Sequence, residues 1–78
     1  MDKLIATIRK NAVDEVRVAL TEFKGYSYVD VRLFTELEDK PEKAPTKKGI
    51  TPRPDLLPEL LAALQKAEAE ARAAGLLR

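Results

Sequence analysis

The sequence of 78 residues predicts an α+β domain: a four-stranded antiparallel β-sheet meander followed by one C-terminal α-helix, paired into a homodimer through that helix. Three observations carry the expectation. Residues 16–34 alternate in hydropathy about a central glycine, the period-two pattern of a half-buried hairpin. From Pro54 onward, leucine and alanine recur every three or four residues, the stripe of an amphipathic helix. The chain is also near the lower limit for independent folding, and with Cys 0 and His 0 it has neither disulfides nor the commonest metal ligand to staple it. A second copy is the remaining staple.

The first strand, expected over residues 4–10, has the most ambiguous pattern. Leu4, Ile5 and Ile8 fit a helical stripe, yet Ile5, Thr7 and Ile8 are β-branched and the segment is short, which favours a strand. Strands over 15–23 and 26–35 flank Lys24-Gly25, where glycine supplies the positive φ of a tight turn. If those two residues form the loop, paired positions sum to 49. Leu20 then faces Val29, Val18 faces Val31 and Val16 faces Leu33, which gathers six aliphatic side chains on one sheet face. A slip of one residue would set aliphatics against Tyr28, Asp30 and Arg32, so the first register wins.

Residues 36–46 hold two prolines and many charges and are expected as a loop. A short fourth strand over 46–51 completes the meander. The helix is expected over 54–74, with Pro54 at its first position, Asp55 at the positive end of its dipole and Gly75 as its stop. Pro58 deletes a backbone hydrogen bond, so the first turn, through Leu57, is expected to be irregular or 3₁₀. At about 31 Å for roughly 21 residues, the helix outreaches an eight-residue strand of about 26 Å and is expected to overhang its own sheet onto a second copy.

Composition narrows the function. Hydrophobic residues at 45% and charged residues at 35% describe a folded chain. No apolar run approaches the ~18 residues of a membrane span, and residues 1–10 lack a signal-peptide pattern, so a cytoplasmic location is expected. The formal net charge is only +1, but residues 1–54 carry 11 Lys+Arg against 9 Asp+Glu. Setting aside residues 36–43, with 2 basic and 4 acidic, leaves 9 basic against 5 acidic, a moderately basic surface broken by one acidic loop.

Catalysis is not expected. Ser27 and Thr51 have no evident base, and Glu36 and Glu38 lie in a solvated loop where nothing raises a carboxyl pKa. Lys48-Gly49-Ile50-Thr51 lacks the spacing of a phosphate loop, and residues 36–42 lack the glycine of a calcium loop. Neither a metal nor a cofactor is anticipated.

The second face of the hairpin is the unusual feature. It collects Arg17, Ala19, Thr21, Phe23, Tyr26, Tyr28, Asp30, Arg32 and Phe34, and so holds every aromatic residue of the chain, Phe 2 and Tyr 2. A core face would exclude the arginines. Single-stranded nucleic acid offers flat bases to rings and phosphates to cations, which is what such a face can receive. Phe23, at a strand end, is expected to be exposed. Tyr28 and Phe34 suit base contact and packing under a loop or partner equally well. Asp30 is expected to neutralise one of Arg17 and Arg32 and leave the other for a phosphate.

Val16-Arg17-Val18-Ala19-Leu20-Thr21-Glu22-Phe23-Lys24-Gly25, then Tyr28-Val29-Asp30-Val31-Arg32, then Pro45-Thr46-Lys47-Lys48-Gly49-Ile50-Thr51, resembles the positive-cofactor-four family of transcriptional coactivators. Pro54-Asp55-Leu56-Leu57-Pro58-Glu59-Leu60 is most similar to its bacterial and phage-type members. The resemblance covers about residues 4–64. It implies a sheet-and-helix dimer that binds single-stranded or melted DNA, with little sequence preference, on the sheet face away from the helix. By position it implies DNA contacts at Phe23, Lys24, Arg32, Lys47 and Lys48. Tyr26 stands where the eukaryotic member has a basic residue, and Thr35 where it has a tryptophan.

With the residues read from the sheet pattern, the expected DNA-binding set is Arg17, Phe23, Lys24, Tyr26, Tyr28, Arg32, Phe34, Lys47 and Lys48. A dimeric adaptor that receives a partner protein, such as the transcription or replication machinery, would use the same face, as would an RNA-binding protein.

Overall fold

The computed structural model describes residues 2–77. They form one antiparallel sheet in the order β1-β2-β3-β4, with β1 Lys3–Arg9, β2 Asp14–Phe23, β3 Tyr26–Thr35 and β4 Ala44–Ile50. A 3₁₀ turn, Pro54–Leu56, leads into helix α1, Leu57–Ala73. The α+β meander expected from the sequence is the observed fold. Lys3–Arg9, compatible in pattern with helix or strand, pairs with β2 as an edge strand.

The β2–β3 hairpin holds the sum-of-49 register without a break, from Asp14 opposite Thr35 to Phe23 opposite Tyr26. Its turn is tighter in conformation than glycine alone would require. Lys24 has φ 53° and Gly25 has φ 82°, so both central residues are left-handed, as the mirror-image type I′ turn needs to match strand twist. The β1–β2 turn is closed differently. Asn11 Oδ1 accepts the Val13 and Asp14 backbone N–H groups, each at 2.9 Å. Beyond it the Thr35 side chain holds the Asp14 carboxyl below its ordinary value, an effect that desolvation partly opposes.

Both edge pairings are irregular. Leu4 faces Ala19 and Ala6 faces Val18, which leaves Ile5 as an extra residue in β1. On the other edge Gly49 faces Arg32 and Pro45 faces Phe34, so four steps along β4 match two along β3. Thr46 stitches this bulge: its hydroxyl donates to the Leu33 carbonyl at 2.8 Å and accepts the Lys48 N–H at 3.1 Å. Pro45 sits on the edge strand, where a missing N–H is tolerated. Gly49 has no such freedom. A Cβ there would lie 2.6 Å from the Val31 carbonyl oxygen and 2.9 Å from Arg32 Cα.

The aliphatic face carries Ile8, Val16, Val18, Leu20, Val29, Val31, Leu33 and Ile50, as the cross-strand partners dictate. Past β4 the ladder continues with the Val29 N–H donating to the Pro52 carbonyl at 2.9 Å, which brings the 3₁₀ turn against β3. Val29, 3% exposed, is the one buried hydrophobic among the described residues. The helix starts on this face, where Leu56, Leu60 and Ala63 line a groove with Ile50 and Pro52. It then leaves the sheet: no residue of α1 is buried, and Leu61 and Leu64 are 54% and 58% exposed.

Pro58 is accommodated because the 3₁₀ turn precedes it and makes it the second helical residue, whose N–H has no intrahelical partner in any case. Gly75, at φ 76°, ends the helix in a Schellman motif, with Leu76 N–H on Ala71 O at 2.8 Å and Gly75 N–H on Arg72 O at 3.1 Å.

Two stability effects follow. Gly49→Ala forces backbone against backbone at the β3–β4 edge and lowers unfolding free energy by about 1–3 kcal/mol, read from denaturant or thermal melts. Lys24→Asn puts a residue tolerant of the left-handed region into the turn, and the same melts should show a gain of up to about 1 kcal/mol.

Candidate nucleic-acid interface

The face away from the helix is laid out in five cross-strand rows of β2 and β3. Phe23 and Tyr26 form the row beside the turn, followed by Thr21 with Tyr28, Ala19 with Asp30, Arg17 with Arg32 and Glu15 with Phe34. Strand alternation alone generates this set, because a sheet that buries Val16, Val18 and Leu20 must present their neighbours to the other side.

The rings divide into two groups. Phe23 and Tyr26 are 63% and 64% exposed at the hairpin tip, with Lys24 Nζ 5.3 Å from the Phe23 ring centroid. Tyr28 is half-buried and borders, with Thr21, Phe23 and Thr51, a hollow of about 340 Å³. Phe34 is half-buried at the far end, and Arg17 lies over it with Cζ 4.1 Å from the ring centroid. Of the four rings, Phe34 therefore has a guanidinium where a base would stack.

The cations divide as well. Arg32 donates from Nε to Asp30 Oδ1 at 3.1 Å and from Nη1 to the Thr46 carbonyl at 2.9 Å, which ties β3 to the bulge of β4. Arg17 donates from Nε to Glu15 Oε2 at 2.6 Å. The expectation that Asp30 takes one arginine and leaves the other bare holds in its first half only. Glu15 stands two residues before Arg17 on the same strand face, just as Asp30 stands two before Arg32, and that shared spacing was the available signal. Lys24, Lys47 and Lys48 are exposed, and their ammonium groups have no ion-pair partner among the described residues. The bulge of β4 fixes the backbone on which Lys47 and Lys48 are carried, one use to which such irregularities are put.

The helix lies, among the described residues, on the other side of the sheet from this face. Among the described residues no group of carboxylates could hold a metal ion, and no helix is long and apolar enough to cross a membrane.

The model of the family described as Transcriptional Coactivator p15 (PC4) matches residues 10–63. A PC4 homolog from Burkholderia pseudomallei is similar in two crystal forms. In the orthorhombic form it is 36% identical with a TM-score of 0.78, covering 85% of this chain and 88% of that one. In the tetragonal form the values are 34% and 0.78, over 87% and 98%. A bacteriophage T5 homolog of the eukaryotic coactivator PC4, implicated in recombination-dependent DNA replication, is 21% identical. Its TM-score of 0.64 over 96% of this chain and 83% of that one is a likeness of fold. Among curated proteins there is no match. The matched stretch runs from the β1–β2 turn into α1 and takes in all of β2, β3 and β4; on that span the chain belongs to the PC4 family of transcriptional coactivators.

Proposed function

We propose that this protein is a homodimer that holds single-stranded or locally melted DNA on the open sheet face, in transcription or in replication and repair. Its family is a non-enzymatic DNA-binding and coactivator family, which supports a DNA-binding role in transcription or replication. The observation that carries the single-strand preference is the hairpin tip, where two rings stand more than half exposed beside a lysine that has no ion-pair partner among the described residues. A duplex keeps its base faces stacked inside, so rings of this kind have nothing to meet there. An unpaired strand offers them.

In this reading Phe23 and Tyr26 stack on bases, each contributing ~1–3 kcal/mol with little regard to base identity. Tyr28 lies beside the same hollow and extends the platform. Lys24, Lys47 and Lys48 bring uncompensated positive charge to the phosphates, and Arg32 holds the β4 bulge that carries two of them. Arg17 is on the same face and is taken up separately below.

The dimer rests on packing. A chain with a single buried hydrophobic among its described residues, and with an aliphatic sheet face and a leucine stripe both open, has no adequate core of its own. A second copy packed helix to helix covers both surfaces. The nucleoid location follows from DNA binding.

Fluorescent-oligonucleotide titration tests the binding, with at least a tenfold preference for single strand over matched duplex as the expected result. Equal affinity for RNA would recast the platform as RNA-binding, and no oligonucleotide binding would favour the partner-protein adaptor. Replacing both lysines, Lys47→Ala with Lys48→Ala, should flatten the log–log salt slope by about 1.4, from about 0.7 per phosphate contact on a single strand. An unchanged slope takes them out of the interface. For assembly, sedimentation of the unmodified protein should give a dimer, whereas Leu61→Glu with Leu64→Glu should abolish both the dimer and the cooperative melt.

A further inference from the structure

Arg17 differs from the other cations of the face. Its Nε is bound to Glu15 at 2.6 Å, the two side chains being 31% and 16% exposed, and its Cζ lies over the Phe34 ring, 4.1 Å from the centroid. A cation so held has its charge answered and its orientation fixed by two neighbours. It is still open to solvent in part.

Arg17 and Phe34 both line a hollow of about 270 Å³, together with Leu4, Ala19, Thr21 and Asp30. The hollow has a simple origin. Ala19 sits between Leu4 on β1 and Asp30 on β3, and its methyl group is the smallest side chain in the middle of the sheet face. The charges around it select the occupant. Asp30 is part of the lining and Glu15 grips Arg17, while Lys3 and Asp2 at the rim offset each other. A phosphate placed here would lose its water with no net positive charge to receive it, since Glu15 answers Arg17 and Arg32 answers Asp30. A neutral, flat ring meets no such penalty and can stack on the guanidinium plane.

We propose that this hollow is a nucleobase subsite in which Arg17, backed by Phe34 and gripped by Glu15, is the stacking platform and not a phosphate contact. The proposal rests on the single-strand reading above and assigns within it a base position separate from the hairpin tip. Ala19 is four residues from Phe23 along β2, or about 13 Å, so the two positions take different bases. Phe34 acts first as a positioning residue: its ring supports the guanidinium at the border of the hollow.

The test is an anisotropy titration of a fixed-length oligothymidine over a salt series, with melting curves for every variant. Arg17→Lys keeps the charge and loses the plane. It should weaken binding about tenfold, equivalent to about 1.4 kcal/mol, with the salt slope unchanged. Ala19→Leu fills the hollow without touching a charge and should give the same loss at the same slope. Phe34→Leu should weaken binding similarly, and Phe34→Tyr should restore it. Arg17→Lys and Ala19→Leu binding like the unmodified protein would overturn the subsite while leaving single-strand binding intact. So would an Arg17→Gln protein with a slope flattened by about 0.7 that Arg17→Lys restores, since that is the signature of a phosphate contact. Failure of the unmodified protein to bind any single strand would overturn both readings together.

Discussion

The register of the β2–β3 hairpin governs the rest of the molecule. Ten consecutive pairs keep one alignment, and because side chains alternate strictly along a strand, that alignment decides the destination of every residue from Asp14 to Thr35. Valines and leucines go to the side where the helix begins, rings and guanidiniums to the other. A slip of one position in one strand would mix the two surfaces and leave the chain with neither an apolar face to bury nor a stacking face to offer. The left-handed Lys24-Gly25 turn is the local element that holds this alignment, and it places a lysine at the tip at the same time.

From that alignment the two faces acquire opposite needs. The aliphatic side lacks cover, since the helix touches the sheet through its first turn and then departs with its leucines exposed. The ring side needs to stay open in the proposed function. In the proposed dimer, the hydrophobic demand is met by a second copy on one side while the aromatic surface binds on the other, without competition between the two.

Much of this was legible in the primary structure, and the reasons for the rest are physical. Period-two hydropathy revealed which side of the sheet Val18 and Arg17 occupy, and period three-to-four revealed α1. Pro54 and Pro58 together implied the 3₁₀ turn, because φ constraints are local. The left-handed φ of Lys24 was hidden because the sequence offered glycine as the residue for that conformation, and a type I′ turn imposes it on both positions. The bulge of β4 depends on a Thr46 hydroxyl reaching the Leu33 carbonyl thirteen residues away, a contact no local window contains. Arg17 over Phe34 is a diagonal contact between strands, a matter of rotamer and not of pattern.

The division between paired arginines and unpaired lysines has a kinetic consequence. Over a Debye length of about 8–10 Å at ordinary ionic strength, a guanidinium with a carboxylate at contact distance is nearly a dipole and exerts little pull on a distant polyanion. In the proposed function the lysines of the turn and the bulge then supply the long-range attraction of this face. Encounter rates on this face would follow those lysines and fall steeply with added electrolyte, whereas residence times would follow the stacked planes and be far less sensitive to it. One sheet would thus separate capture from retention by the simple device of giving its arginines counterions of their own.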